Sequence, residues 1–217
     1  MQKTMTKPAI THWIFDLDNT LYPPAVRLFD QIEVKMEEFI MRELALDLNA
    51  AKSVRADFWQ KYGTTLAGLM DVHNIDPDPF LYEVHDIDVS DLTPDPDLAD
   101  SIAQLPGQKV IFTNGSRGHG VNISTARGIH HAFDAIFGIE DANYVPKPHL
   151  SAFEAIIEKA GINPTQAMMI EDDPRNLEVP AALGMTTVLM GPHCDRPHVH
   201  HHAEDLAQFL RAFPKAA

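Results

Sequence analysis

The stretch from Trp13 to Leu21, reading WIFDLDNTL, constrains the fold more than any other. Trp13, Ile14 and Phe15 form a short, unbroken apolar run, the pattern of a strand covered on both faces in a parallel sheet. Two carboxylates, Asp16 and Asp18, follow at once. In an extended chain, residues two apart point to the same side. Both carboxylates would then emerge together at the carboxyl end of the strand, where open α/β sheets place their ligands. Taken alone, an Asp-x-Asp is more often a turn or a helix cap than a site.

Tyr22-Pro23-Pro24 interrupts the chain, and from there to Asp91 the patterns are helical. Phe29, Ile32, Met36, Phe39, Ile40 and Leu44 recur on one helix face. Asn49 is the expected cap of a second helix with Phe58 and Tyr62, closed by Gly63. Thr64 caps a third, with Leu66, Leu69, Met70 and His73 on one side, and Asp76-Pro77 opens a fourth. This block is too long for an ordinary loop. After the proline-rich polar linker Leu92-Thr93-Pro94-Asp95-Pro96, strands and helices alternate. Strands are expected at Lys109–Phe112, Ala135–Phe137, Ala167–Ile170 and Thr186–Met190. A last helix is expected over Glu204–Phe213. The expected fold class is α/β, a Rossmann-like parallel sheet with right-handed crossovers. The expected organisation is an α/β core of residues 1–22 and 92–217, with a small all-helical insert at 23–91.

Bulk properties narrow the partners. The net charge of −14 and the lack of a basic stripe argue against a nucleic-acid polymer. No stretch approaches the length of a membrane span. The N-terminus lacks the apolar core of a secretory signal, and Cys194 is the only cysteine. A cytoplasmic protein without membrane association is expected.

Four polar clusters each follow a strand or loop at the same edge of the sheet. They are Asp16/Asp18, Thr113-Asn114-Gly115, Lys147, and Glu171-Asp172-Asp173. Each has an ordinary reading as turn chemistry, a surface lysine or a helix start. Together they set converging carboxylates beside one another, which raises their proton affinity unless a cation intervenes. All-oxygen ligands favour Mg²⁺, which leaves positions for a substrate phosphate. A lysine, a threonine hydroxyl and backbone N–H groups suit a dianionic phosphoryl group.

The order DxDNT, TNG, KP and EDD resembles the haloacid dehalogenase (HAD) superfamily, with the helical insert in the place of that superfamily's cap domain. The resemblance covers nearly the whole chain. It implies a five-stranded parallel sheet with the first motif's strand central. It also implies that Asp16 attacks phosphorus to form an aspartyl-phosphate, and that Asp18 protonates the leaving oxygen and then activates water. Lys147 would screen the nucleophile, and Thr113, Asn114 and Gly115 would bind the phosphoryl group. Mg²⁺ would be held by Asp16, the Asp18 carbonyl and Asp172, with Glu171 and Asp173 as alternative ligands. The dehalogenase branch lacks the second aspartate, so Asp18 points to phosphoryl transfer. FDLDNTLYP, Tyr62-Gly63-Thr64-Thr65-Leu66 with Gly68-Leu69, IEDDPRNLEVPAALGM and HHAEDLAQFL together resemble the pyrimidine 5′-nucleotidase branch. This implies a hydrolase for UMP or CMP. A phosphatase or phosphomutase for phosphoglycolate or a sugar phosphate shares the same core motifs. A non-catalytic phosphate-binding protein would not need all of Asp16, Asp18, Lys147 and Asp172.

Arg117 and His119 read equally as leaving-group contacts or a solvated helix start. Phe58 and Tyr62 are expected in the insert's own core, with Trp59 a candidate for stacking on a base. His198 to His202 are expected to form a solvated, pH-responsive loop.

Overall fold

A computed structural model describes residues 9–213. Strand β1 (His12–Phe15) lies inside a six-stranded parallel sheet of order β3-β2-β1-β4-β5-β6. Its partners are β2 (Gln108–Phe112), flanked by β3 (Ala135–Phe137), and β4 (Ala167–Glu171), flanked by β5 (Thr186–Met190). The alternation of side chains sorts the apolar run into two layers. Trp13 and Phe15 join one core with Ile111, Met168 and Ile170, while Ile14 joins the opposite core with Val110, Phe112 and Met169. Helices α5 (Pro96–Ala103), α6 (Arg117–Ala126) and α9 (Leu206–Ala212) cover the first layer, and α7 (Leu150–Ala160) and α8 (Glu178–Ala182) the second.

The sixth strand corrects the expectation of five. His201–Ala203 forms β6, parallel to β5, where a solvated loop was expected. Thr187 anchors it: its hydroxyl donates to the His198 carbonyl at 2.6 Å, and its N–H donates to His200 Nδ1 at 3.0 Å. The tract therefore satisfies polar groups at the sheet edge rather than hanging in solvent.

Between β1 and α5 run α1 (Leu28–Leu44), α2 (Leu48–Tyr62), α3 (Thr65–His73) and α4 (Pro77–Val84). Ile32, Phe39, Ile40, Leu66, Leu69, Phe80 and Val84 bring the four helices around one apolar cluster. The cap of α2 is Asp47, accepting from the Ala50 N–H, and Asn49 lies within the first turn, two residues later than its expected place. Thr64 and Asp76 cap α3 and α4. Phe29 leaves the buried stripe and is 39% exposed, whereas Glu37, unforeseen in the core, is buried against Arg55 at 3.1 Å. Helices α2 and α3 meet at Gly68, where an added methyl would lie 2.3 Å from Phe58 Cγ. That atom is too near its backbone to yield, so Gly68→Ala should lower unfolding stability by about 1–3 kcal/mol in urea titration.

Both chain crossings between these helices and the sheet are tied to one side chain. The buried Arg127 guanidinium donates to the Leu21 carbonyl at 3.2 Å, to the Thr93 carbonyl, and to Asp95 at 2.6 Å. Among the described residues, no helix is long and apolar enough to cross a membrane.

Candidate active site

The β1 ladder runs one residue past the strand, since the Asp16 N–H donates to the Ile170 carbonyl at 2.9 Å. Asp16 is thereby fixed beside Glu171 at the carboxyl edge. Lys147, reached through the loop before α7, inserts between them and is 1% exposed. Its ammonium donates to Asp16 Oδ1 at 2.7 Å, Glu171 Oε2 at 3.0 Å and the Phe112 carbonyl at 3.0 Å, which uses all three of its protons. The backbone of Lys147 is gripped by Asn114. The Lys147 N–H donates to Asn114 Oδ1 at 2.8 Å, and Asn114 Nδ2 donates to the Lys147 carbonyl at 3.2 Å. Both ends of the Asn114 amide thus position the lysine, while Asn114 still lines the cavity.

Asp16 Oδ2 accepts from Thr20 at 2.9 Å. Asp18 is arranged differently. His119 Nε2 lies 2.8 Å and the Tyr22 hydroxyl 2.7 Å from the same oxygen, Oδ1, while Oδ2 faces the Thr113 hydroxyl at 3.5 Å. An ionised carboxylate only accepts, so His119 presents Nε2–H. With both donors on Oδ1, Oδ2 is the oxygen available to carry a proton. The Gly115 N–H donates to Thr113 Oγ1 at 2.9 Å and closes the turn after β2.

The acidic trio divides its work. Glu171 is buried, and its second oxygen accepts from Asn176 at 2.7 Å. Asp173 turns to Arg175, with Nε at 2.9 Å, and caps the turn that follows. Asp172 stays beside Asp16: one oxygen from each of Asp16, Glu171 and Asp172 lie within 4.8 Å of one another. Among the described residues this is the one grouping of three acidic, histidine or cysteine side chains close enough to share a metal ion.

The electrostatics report this crowding. Burial and the neighbouring Asp16 push Asp172 up to about 7. The same two causes hold Glu171 well above the usual carboxylate range, and burial raises Asp16 against the pull of Lys147. Burial works against the Lys147 ammonium, but Asp16 and Glu171 outweigh it and hold Lys147 above its ordinary value. One lysine balances one of three carboxylates. The excess negative charge and the all-oxygen donor set fit a hard divalent cation. Asp18 moves the other way. Burial opposes its charge, but His119 and Tyr22 outweigh it and bring Asp18 down to about 2.

A cavity of about 710 Å³ opens above these groups. Asp16, Asp18, Thr113, Asn114, Gly115, Lys147, Glu171, Asp172 and Asp173 all line it. Phe29, Glu33, Arg55, Trp59 and Tyr62 line its helical side. Trp59 is 48% exposed, with the Arg175 guanidinium 4.3 Å from its ring centre. Phe58 and Tyr62 pack edge to face within the helical layer. His73 is exposed against Phe58. Arg117 pairs with Asp141 and leaves the site, whereas His119 enters it. Sequence reasoning missed Thr20, Tyr22, His85, Asn176 and the clamping role of Asn114. Tyr22 and Thr20 carry a signal, because each lies four residues beyond a site aspartate, within reach if the chain coils after β1.

Comparisons with known proteins agree with this arrangement. Residues 10–184 match the family model described as haloacid dehalogenase-like hydrolase. A curated relative, Phosphate metabolism protein 8 of Saccharomyces cerevisiae, is 26% identical over 199 residues, covering 84% of this chain and 62% of its own length. The chain therefore spans about six-tenths of that relative. A HAD phosphatase from Thermococcus onnurineus shares the fold at TM-score 0.62 and 17% identity, over 93% of this chain and 96% of the other. A HAD-hydrolase from Bacillus subtilis, solved bound to magnesium, does so at TM-score 0.57 and 16% identity, over 94% and 98%. With a family model matching four-fifths of its length and a sheet edge that gathers all four motifs, the chain belongs to the haloacid dehalogenase-like hydrolases.

Proposed function

We propose that the protein is an Mg²⁺-dependent phosphomonoesterase that works through an aspartyl-phosphate, with pyrimidine nucleoside 5′-monophosphates such as UMP and CMP as favoured substrates. The observation that carries this reading is the contrast between two aspartates two residues apart. Asp16 is braced on both oxygens by Lys147 and Thr20, while Asp18 takes its two short hydrogen bonds on Oδ1 and only a long one, from the Thr113 hydroxyl at 3.5 Å, on Oδ2.

In the proposed reaction an Asp16 oxygen attacks phosphorus as the bond to the leaving oxygen breaks. A carboxylate needs no base to become a nucleophile. Asp18 passes the proton on Oδ2 to the leaving oxygen. Asp18 is ionised in the resting site; the charge of the entering phosphoryl group raises its proton affinity, and it takes up this proton from solvent, or from the monoanionic ester itself, as the substrate binds. Asp18 then takes a proton from water, which attacks phosphorus, releases phosphate and restores Asp16. The Thr113 hydroxyl and the Asn114 backbone N–H bind phosphoryl oxygens, and the Gly115 N–H, which donates to Thr113 Oγ1 at rest, joins them by exchanging that bond for a phosphoryl oxygen. Asp16, the Asp18 carbonyl and Asp172 would hold the Mg²⁺, which neutralises phosphoryl charge when bound. Asp173 is turned to Arg175, and both Glu171 oxygens already accept hydrogen bonds from Lys147 and Asn176, which favours Asp172 as the ligand from the acidic motif.

Residues 23–91 act as a cap over a core of 1–22 and 92–217. The cavity lies within the size range of small-molecule sites, and Phe29 and Trp59 offer it apolar faces for a base. A phosphate-release screen over nucleotides, phosphoglycolate and sugar phosphates tests the proposal. UMP and CMP should rank among the best substrates, EDTA should bring release to background, and Mg²⁺ should restore it. A sugar phosphate or phosphoglycolate far ahead of UMP and CMP would overturn the substrate reading alone. No turnover of any phosphomonoester would overturn the activity.

A further inference from the structure

We infer that His85 is a positioning residue for Asp18, acting through His119, so that delivery of the proton to the leaving group depends on where helix α4 sits. The inference rests on the proposed acid–base role of Asp18.

The chain of contacts is continuous. His119 is 1% exposed, and its Nε2 meets Asp18 Oδ1 at 2.8 Å. That hydrogen bond restrains one end of the imidazole and leaves its tilt to be set by packing. The ring of His85 supplies that packing, stacked on His119 with centroids 4.4 Å apart and planes 21° from parallel. His85 is itself fixed. Its Nδ1 lies 2.8 Å from the Leu81 carbonyl, which can only accept, so the proton sits on Nδ1. Ser116 Oγ lies 3.1 Å from the same nitrogen and also accepts from the His119 N–H at 3.1 Å, tying the two histidines to one hydroxyl. Gly115 closes the other side. A methyl there would come within 3.1 Å of His119 Cδ2 and 3.2 Å of His85 Nε2, so both rings rest against its Cα.

The two histidines come from different layers. His119 belongs to α6 beside the sheet, whereas His85 ends α4, the last helix of the insert. If α4 shifts, His85 leaves the stack, His119 gains freedom to tilt, and Asp18 loses its aim. Misplacing a reacting group by about 1 Å can cost 10²-fold. The insert would then regulate the acid as well as shield it.

Single-turnover release of the leaving group separates this role from a merely structural one. UMP needs its leaving alkoxide protonated, whereas p-nitrophenyl phosphate releases a weakly basic phenolate that does not. Asp18→Asn should slow UMP far more than p-nitrophenyl phosphate. His85→Ala should show the same bias, with UMP slowed roughly tenfold more than p-nitrophenyl phosphate, and His85→Phe, which keeps a stacking ring, should recover most of the UMP rate. If Asp18→Asn is biased and folded His85→Ala slows both substrates equally, or neither, the positioning role of His85 is overturned and the acid role of Asp18 stands. If Asp18→Asn shows no bias, the acid role fails and takes the inference with it. Should His85→Ala fail to fold, an unbiased His85→Phe with a slowed UMP rate overturns the inference, and a near-parental one supports it.

Discussion

Replacing Asp16 with asparagine is expected to lower turnover by about four to six orders of magnitude, the scale seen when a covalent nucleophile is removed. The protein should remain folded. Asparagine is nearly isosteric with aspartate, and its carbonyl can still accept from Lys147 or Thr20. Removing one partner of a buried ion pair ordinarily costs about 3–5 kcal/mol. Here the loss is opposed by relief of repulsion, because Asp16 shares its corner with Glu171 and Asp172. The unfolding midpoint should therefore move little. Phosphate release and urea titration on the same preparation check both halves. A folded variant with substantial activity would refute the nucleophile assignment.

Lys147→Met should damage both properties at once. The ammonium is buried between Asp16 and Glu171 and supplies the positive charge between them. Methionine fills much of the same space but leaves two carboxylates and the Phe112 carbonyl without their donor. Stability in EDTA should fall by about 3–5 kcal/mol. Turnover should fall by at least about 10³-fold, because Mg²⁺ alone would be left to screen the nucleophile from an incoming dianion. A variant as stable as the parent in EDTA would show that Lys147 does not carry the electrostatic balance of the site. The contrast with Asp16→Asn is diagnostic: one change removes chemistry alone, the other lowers both turnover and stability.

The parts legible in the sequence were those governed by local rules. The apolar run before Asp16, the caps Thr64 and Asp76, and the stops Gly63 and Gly161 depend on neighbours a few residues away. β6 escaped because His-His-Ala carries no apolar alternation and its crossover from β5 contains no helix. Glu37 escaped because its partner Arg55 lies on another helix, and a glutamate on a helix ordinarily faces solvent. Arg127 reads locally as a residue that follows a helix end, and only the folded chain brings Leu21 and Thr93 to it.

The candidate site divides along the same line. The four motifs fall at one sheet edge because strand periodicity and crossover topology put them there. Which partner each carboxylate of Glu171-Asp172-Asp173 takes was not legible from three adjacent acids. It follows from β4 extending through Glu171, which turns that side chain toward Lys147, and from Arg175 claiming Asp173. His85 carried no signal at all, since it reaches Asp18 through a stack with a residue from another layer.

The sheet register sets how this chain can vary. Phe15 is level with Ile111 on one side and Ile170 on the other, so Asp16 follows β1 level with Glu171 at the end of β4. Losing or gaining one residue within β1 would leave every motif intact in the sequence. It would also turn Asp16 toward the opposite layer and take it from Lys147, because a one-residue slip exchanges the two faces of a strand. Relatives of this protein can therefore exchange one apolar residue for another of similar volume in these strands, but cannot change the count of residues between the start of β1 and its first aspartate.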